Sequence, residues 1–341
     1  GLSTPYRLNY LSGTYIESID IIKGMGSVLN GYESISGQVN VKLKDPEKSE
    51  RLYLNLYGNS LAKFDANLNV SAQVSPKWST ILMLHSDHLG NRVDRNKDGF
   101  MDLALGTHHN IYNKWKYTHG DTWVSEFGFN ALRETKLGGQ MDYVKGEPAG
   151  PTQRYGTESE TDRLSFYNKT SYTFPGKPYQ SLGFISSGVH HKFNSLYGRR
   201  AYNGEQNMGD FRLIFQSIIG HTGHTYKVGT SFLYDDYTER LEQTRLARTE
   251  QVPGIFAEYI FNNSENLTVV AGARTDFHNL YGTVFTPRLN VKYDLTQNTI
   301  FRLAAGKGFR VANPISENTA ALVSNRAFTF EEELAPEKAW N

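Results

Sequence analysis

The chain has 341 residues, no cysteine and a formal net charge of +1. These figures exclude a thiol nucleophile, a cysteine zinc site and a disulfide frame, and they leave no bulk electrostatic case for nucleic acid. No run approaches the ~18 apolar residues of a membrane helix; any passage through a bilayer would be by β-barrel, in which only every second residue need be apolar, and a mean hydropathy of −0.52 is compatible with that.

In chain order, the first predicted elements are a strand over Ile16 to Ile22, a glycine-rich turn into a short helix over Lys23 to Asn30, and a strand over Gln38 to Leu43. Lys23, Gly24, Gly31 and Gly37 mark the turn, since glycine permits sharp reversals in crowded surroundings. The segment contains neither G-x-x-x-x-G-K-[ST] nor G-x-G-x-x-G, so it is not read as a phosphate loop. From Arg51 a period of two takes over: Ala66, Leu68, Val70, Ala72 and Val74 alternate with Asn67, Asn69, Ser71, Gln73 and Ser75. Strands are predicted at 51–58, 65–75, 78–87, 108–117, 122–133, 162–173, 180–191, 208–219, 224–235, 253–262, 266–276, 286–294 and 298–307, with another beginning near Ala339. Tight turns are expected at 75–78, 118–122, 175–178, 220–223, 262–266 and 295–298. Most alternate connections read as long: 88–107, 134–161, 192–207, 236–252 and 308–336. A soluble sandwich would share the alternation, but loops sorted into a short rim and a long rim are characteristic of an outer-membrane barrel.

Within the first long connection, Asp94, Asn96, Asp98, Gly99 and Asp102 follow the D-x-N-x-D-G-x-x-D pattern of a calcium loop, with the Phe100 carbonyl as a further donor. The bidentate glutamate of an EF-hand would fall at Leu105, so coordination would need water or another group such as Asp87. The ten histidines are read as polar rim residues rather than metal ligands, because neighbours such as His108 and His109 on one strand point to opposite faces. Arg274, Arg288, Lys292, Asp294, Glu126 and Glu258 fall on the polar strand faces.

The strand Ile16–Ile22, Lys23-Gly24, Ser27, Gly31, Gly37 and the exit strand Val39-Asn40-Val41 together resemble the end of the plug domain of TonB-dependent outer-membrane receptors. Pro287-Arg288-Leu289 and Ala304-Ala-Gly-Lys-Gly-Phe-Arg310, with Pro314 and Glu317, are similar to a mid-barrel strand pair and loop of the same family. Arg92 to Asp102 followed by Trp115 looks like members from Bacteroidetes-type bacteria. The resemblance implies a mainly β fold: the C-terminal part of an αβ plug (1–46), then the first part of a transmembrane antiparallel barrel (47–341). About 13–14 of 22 strands would be present, the chain being an internal fragment. It also implies a receptor in the bacterial outer membrane, surrounded by outer-membrane lipid. The receptor would actively take up a scarce large ligand, a ferric siderophore or other metal chelate first. TonB, with ExbB/ExbD, would engage a segment upstream of Gly1. A passive porin or adhesin barrel is the alternative; with no G-x-S-x-G and no H-E-x-x-H, no enzyme and no catalytic cofactor are expected, only a structural Ca2+. On this resemblance Tyr6, Arg7 and Tyr10 lie on an apical plug loop that contacts ligand, and Glu17 and Glu33 of the plug meet barrel charges such as Arg274 and Arg288.

Overall fold

A computed structural model of the chain describes residues 2, 10–33, 37–146, 153–324, 326, 328–329 and 334–341. Strands β1 (Ile16–Lys23) and β2 (Gly37–Leu43) pair antiparallel as a separate two-stranded sheet. The short helix expected between them is reduced to one 3-10 turn, Val28–Asn30, capped by the Ser27 hydroxyl, which accepts from the Leu29 amide at 3.2 Å. Flanking glycines and the φ of 96° at Gly31 leave too few residues for the first turn of an α-helix to propagate.

Thirteen strands then run up and down in sequence: β3 (Leu52–Gly58), β4 (Lys63–Ser75), β5 (Trp78–Leu89), β6 (Leu105–His119), β7 (Trp123–Gly139), β8 (Gly156–Thr173), β9 (Ser181–Tyr197), β10 (Arg200–Ile219), β11 (His221–Leu241), β12 (Thr244–Asn262), β13 (Leu267–His278), β14 (Gly282–Thr296) and β15 (Thr299–Arg310). A one-turn helix, α1 (Thr319–Leu322), precedes β16 (Glu337–Trp340), and β3 to β16 form one 14-stranded antiparallel sheet in strict chain order. Between β2 and β3 the linker is tied down by Lys116, which bonds Asp45 at 3.1 Å and Glu47 at 2.5 Å. Burial alone would raise the Asp45 carboxyl, but the Glu47 amide and the Lys116 ammonium outweigh it and hold that group below its usual range.

Two expected long connections are strand instead. β9 and β10 meet at a tight turn after Tyr197, and β11 and β12 meet after Leu241, so 192–207 and 236–252 are largely ladder. Stretches such as Tyr202-Asn-Gly-Glu-Gln-Asn207 lack apolar alternation and therefore look like loop, yet backbone pairing continues through them. The long connections at 90–104, 140–155 and 311–336 remain, so the long-loop rim is mixed rather than uniform.

The sheet is inverted relative to a soluble domain. Its inward face buries Asn67, Asn69, Lys114, Glu134, Glu258 and Arg274. Its outward face exposes Leu54, Phe129 (57%), Leu164, Phe211, Ile255 and Leu303 (60%). At one rim Trp78, Trp115, Tyr117, Trp123 and Tyr172 cluster beside the tight turns, with Trp78 and Tyr117 rings 4.9 Å apart and Trp123 and Tyr172 rings 5.8 Å apart. An apolar exterior edged by aromatics fits lipid as the outer solvent. Phe129→Arg should therefore destabilise the barrel by about 2–4 kcal/mol in a bilayer. Reversible unfolding of the full chain from lipid vesicles measures this, and a cost near zero would show that residue 129 faces water.

Candidate functional site

Three arginines from the wall converge on the carbonyls of the turn between β1 and β2. Arg288 (β14) donates from Nη1 to the carbonyls of Gly26 (3.0 Å) and Ser27 (2.8 Å), and from Nη2 to Gly31 (2.8 Å). Arg274 (β13) reaches the Val28 carbonyl at 3.4 Å while Asp276 and the Ser231 hydroxyl, at 2.6 Å each, fix its other nitrogens. Arg212 (β10) donates to the Leu29 carbonyl at 3.2 Å, and the Ser27 hydroxyl donates to Glu258 at 2.5 Å. Val28 lies against Gly272, where an added Cβ would come within 2.8 Å of the valine methyl, so the close approach requires glycine. A 3-10 turn leaves its terminal carbonyls without internal partners, and guanidinium groups supply them.

A second contact lies nearer the N-terminus. Ser12 and Thr14 hydroxyls donate to Asn67 Oδ1 at 2.8 and 3.0 Å, and the Tyr15 hydroxyl donates to the Asn110 carbonyl at 2.9 Å. The Asn110 amide donates to the Tyr10 carbonyl at 2.5 Å. Between these two contacts and the wall lies a cavity of about 530 Å³. Tyr10, Leu11 and Asn30 to Glu33 of the N-terminal segment form one side of it, and residues of β8 to β13 with Val311 and Asn313 form the rest. Most charges inside it are satisfied: Arg212 pairs with Asp210 at 2.8 Å, Arg248 with Glu250 at 2.5 Å, and Gln206 donates to Asp235 at 2.9 Å. Arg163 differs, since among the described residues it forms no ion pair and its hydrogen bond goes to Ser165 at 3.0 Å.

Tyr10 is buried on the cavity wall, its ring edge-on to His191 at 5.8 Å, whereas Tyr6 and Arg7 lie outside the described residues. Lys23 closes β1, paired with Gly37 of β2, and Gly24 and Gly31 flank the turn with φ of 81° and 96°. Arg274 and Arg288 reach carbonyls of the β1–β2 turn rather than Glu17 or Glu33. Glu17 pairs with Lys42 within the β1–β2 hairpin at 2.8 Å, because both side chains lie on the exposed face of that small sheet. Glu33 lines the cavity.

In the 90–104 connection, Asp94 accepts from the Asp98 (3.2 Å) and Gly99 (2.9 Å) amides, Asp98 from Phe100 (2.8 Å), and Asp102 from Arg95 (2.9 Å). Asn96 Nδ2 donates to Asp98 at 2.9 Å. The three carboxylates do not form a group converging within 4.8 Å, so calcium would have to draw them together. Asp87, which could have completed that loop, lies opposite His108 on the β5–β6 ladder.

Sequence reasoning missed Arg163, Arg212, Asp235, Arg248 and Glu250. Arg248 and Glu250 fall in a stretch expected to be loop, and Arg163, Arg212 and Asp235 are polar-face residues that no local motif distinguishes from their neighbours.

A family model described as TonB dependent receptor-like, beta-barrel matches residues 44–341. No curated protein matches the chain. Similar solved structures include FpvA of Pseudomonas aeruginosa in complex with a heterologous ferric pyoverdine (12% identity, TM-score 0.68, 90% of this chain, 49% of that one). The ferric enterobactin receptor PfeA of the same organism is also similar (10%, 0.68, 89% and 50%), as is the siderophore receptor PirA of Acinetobacter baumannii (14%, 0.67, 89% and 49%). The chain thus spans about half the length of each.

Arg288→Met should weaken the seating of this turn by on the order of 3 kcal/mol, since three carbonyl bonds to a charged donor are lost. Faster hydrogen exchange of the amides at 24–31 measures it. Lys292→Met, which removes a side chain bonded to Asp294, serves as the control that should leave those amides unchanged.

Proposed function

Since the chain belongs to the TonB-dependent receptor-like β-barrel family, we propose that it acts in the outer membrane as part of a receptor for active uptake of an anionic metal chelate, a ferric siderophore first. The observation that carries this is the cavity between plug and wall. Its volume of about 530 Å³ suits a small chelate, and Arg163 offers it a guanidinium that no carboxylate among the described residues neutralises. Residues up to about 46 act as the end of the plug. That segment is held inside the wall chiefly by hydrogen bonds from Arg288, Arg274 and Arg212, which can exchange for water when the plug is pulled. Force delivered by TonB through the plug would break them one at a time, whereas a continuous apolar core would resist as a unit. A passive porin has no use for a turn that fills its lumen and is clamped there.

Cells carrying the full-length gene should accumulate radio-iron presented as one ferric siderophore, and deletion of TonB should abolish that uptake. Uptake indifferent to TonB would restore the porin reading, and TonB-dependent uptake of haem, cobalamin or oligosaccharide instead would replace the ligand class. Arg163→Ala should weaken chelate binding about tenfold, equivalent to about 1.4 kcal/mol, with unchanged protein in the membrane; titration by tryptophan quenching measures it.

A further inference from the structure

On the inward face of β4, β5 and β6, two rows of polar side chains face one another across the ladder. One row is Asp65, Asp87 and His108, and the other is Asn67, His85 and Asn110. The His85 and His108 rings stand 5.0 Å apart at 72°, and one ligand atom each from His85, Asp87 and His108 lies within 4.8 Å of the others. From these residues we infer a binding site for a divalent transition ion, of the zinc, nickel or copper class, with His85, Asp87 and His108 as its protein ligands.

Three independent features support it. The first is an unpartnered ring nitrogen: His108 is 6% exposed, and its buried Nε2 bonds nothing among the described residues, a condition rare in folded proteins and removed by a metal ion. Second, the tautomer of His85 is already set for coordination. Asn67 Nδ2 donates to Asp65, which turns Asn67 Oδ1 towards His85 Nδ1 at 2.8 Å, with the Asp65 carboxylate 3.8 Å from the same nitrogen. The proton therefore resides on Nδ1 and the lone pair on Nε2, and a histidine anchored through its other nitrogen is the usual arrangement around bound metals. Third, Asp65 and Asp87 are direct cross-strand partners, a like-charge pairing that a bound cation relieves.

Two imidazoles and one carboxylate suit borderline metals rather than calcium or magnesium, and three protein ligands leave an open position. Tetrahedral coordination at 2.0–2.1 Å places ligand atoms about 3.3 Å apart, so side-chain rotation must draw the three groups inward from their present spacing. The site lies level with the polar outward pair Ser86 and His109, whose side chains bond one another at 2.9 Å, rather than with apolar Leu82 and Ile111 further along. Asn67 also receives the Ser12 and Thr14 hydroxyls, so the ion would be joined through one amide side chain to the plug. Lys63 is the competitor, its ammonium 3.5 Å from Asp87.

The test is Zn2+ titrated by calorimetry into the detergent-purified full chain, followed by Co2+ and its visible absorption spectrum. One ion per chain is expected. His85→Gln and His108→Gln should each weaken binding on the order of 100-fold and abolish the Co2+ visible bands, with barrel folding checked by heat-modifiable gel migration. Lys63→Met, which removes the competing cation, should bind more tightly. His221→Gln, altering a different ring pair 4.6 Å apart at the β10–β11 turn, should bind as the native chain does. The inference is overturned if the native chain takes up no stoichiometric Zn2+, if either glutamine variant binds as tightly as the native chain, or if Lys63→Met binds more weakly. It does not rest on the chelate reading, and uptake assays play no part in the test.

Discussion

The rest of the structure depends on one constraint: the backbone carbonyls of a short turn, Gly26 to Gly31, lie inside a wall whose inward face is polar. Within the turn the Ser27 carbonyl accepts from the Asn30 amide at 3.1 Å, but a barrel interior without donors would leave the Gly26, Val28, Leu29 and Gly31 carbonyls unpaired at about 1–3 kcal/mol each. Arg288, Arg274 and Arg212 meet that demand from three different strands. Their own charges are then managed by Asp276 and Asp210, or by the carbonyls themselves in the case of Arg288. The wall's charges and the geometry of the β1–β2 turn therefore specify one another.

The same constraint explains why little of the interior is apolar. Three small clusters, around Tyr15, Tyr32 and Tyr202, make the apolar contacts between the strands and the segments lying within them. Tyr32 packs edge-on to Phe309 at 5.5 Å, and its carbonyl accepts from the Phe309 amide at 3.2 Å. Between the clusters lie amides, hydroxyls and ion pairs. Such an interior fixes the position of the N-terminal segment by direction and distance more than by bulk, and it leaves the 530 Å³ cavity open to a polar guest.

Much of this was legible in the sequence. Strict alternation in Ala66–Ser75 and Leu289–Asp294 located strands and their two faces, because lipid and lumen impose opposite preferences on neighbouring residues. Where polar residues stand on both faces that signal weakens, which is why 192–207 and 236–252 read as loop although the ladder continues through them and buries Phe193, Tyr202 and Leu241. Glycine spacing marked the plug turn, but not that Val28–Asn30 would be a 3-10 turn. Arg274 and Arg288 stood out as charges on polar faces, yet their carbonyl partners some 250 residues away have no sequence signature. The grouping of His85, Asp87 and His108 was hidden for the same reason. Reasoning along one strand sees only that adjacent histidines diverge, whereas register across two strands is what brings the rings together.

The proposed function requires the segment of β1 to β2 to leave its seat, and a reversible covalent lock tests this most directly. An ideal Cβ at Gly272 lies 3.4 Å from Val28 Cβ, close to disulfide geometry, and these 341 residues contain no cysteine to interfere. In the full-length Val28→Cys/Gly272→Cys protein, the account predicts that oxidation leaves ligand binding intact and stops uptake, and that reductant restores uptake. Uptake that continues at the native rate in the fully oxidised protein would contradict it.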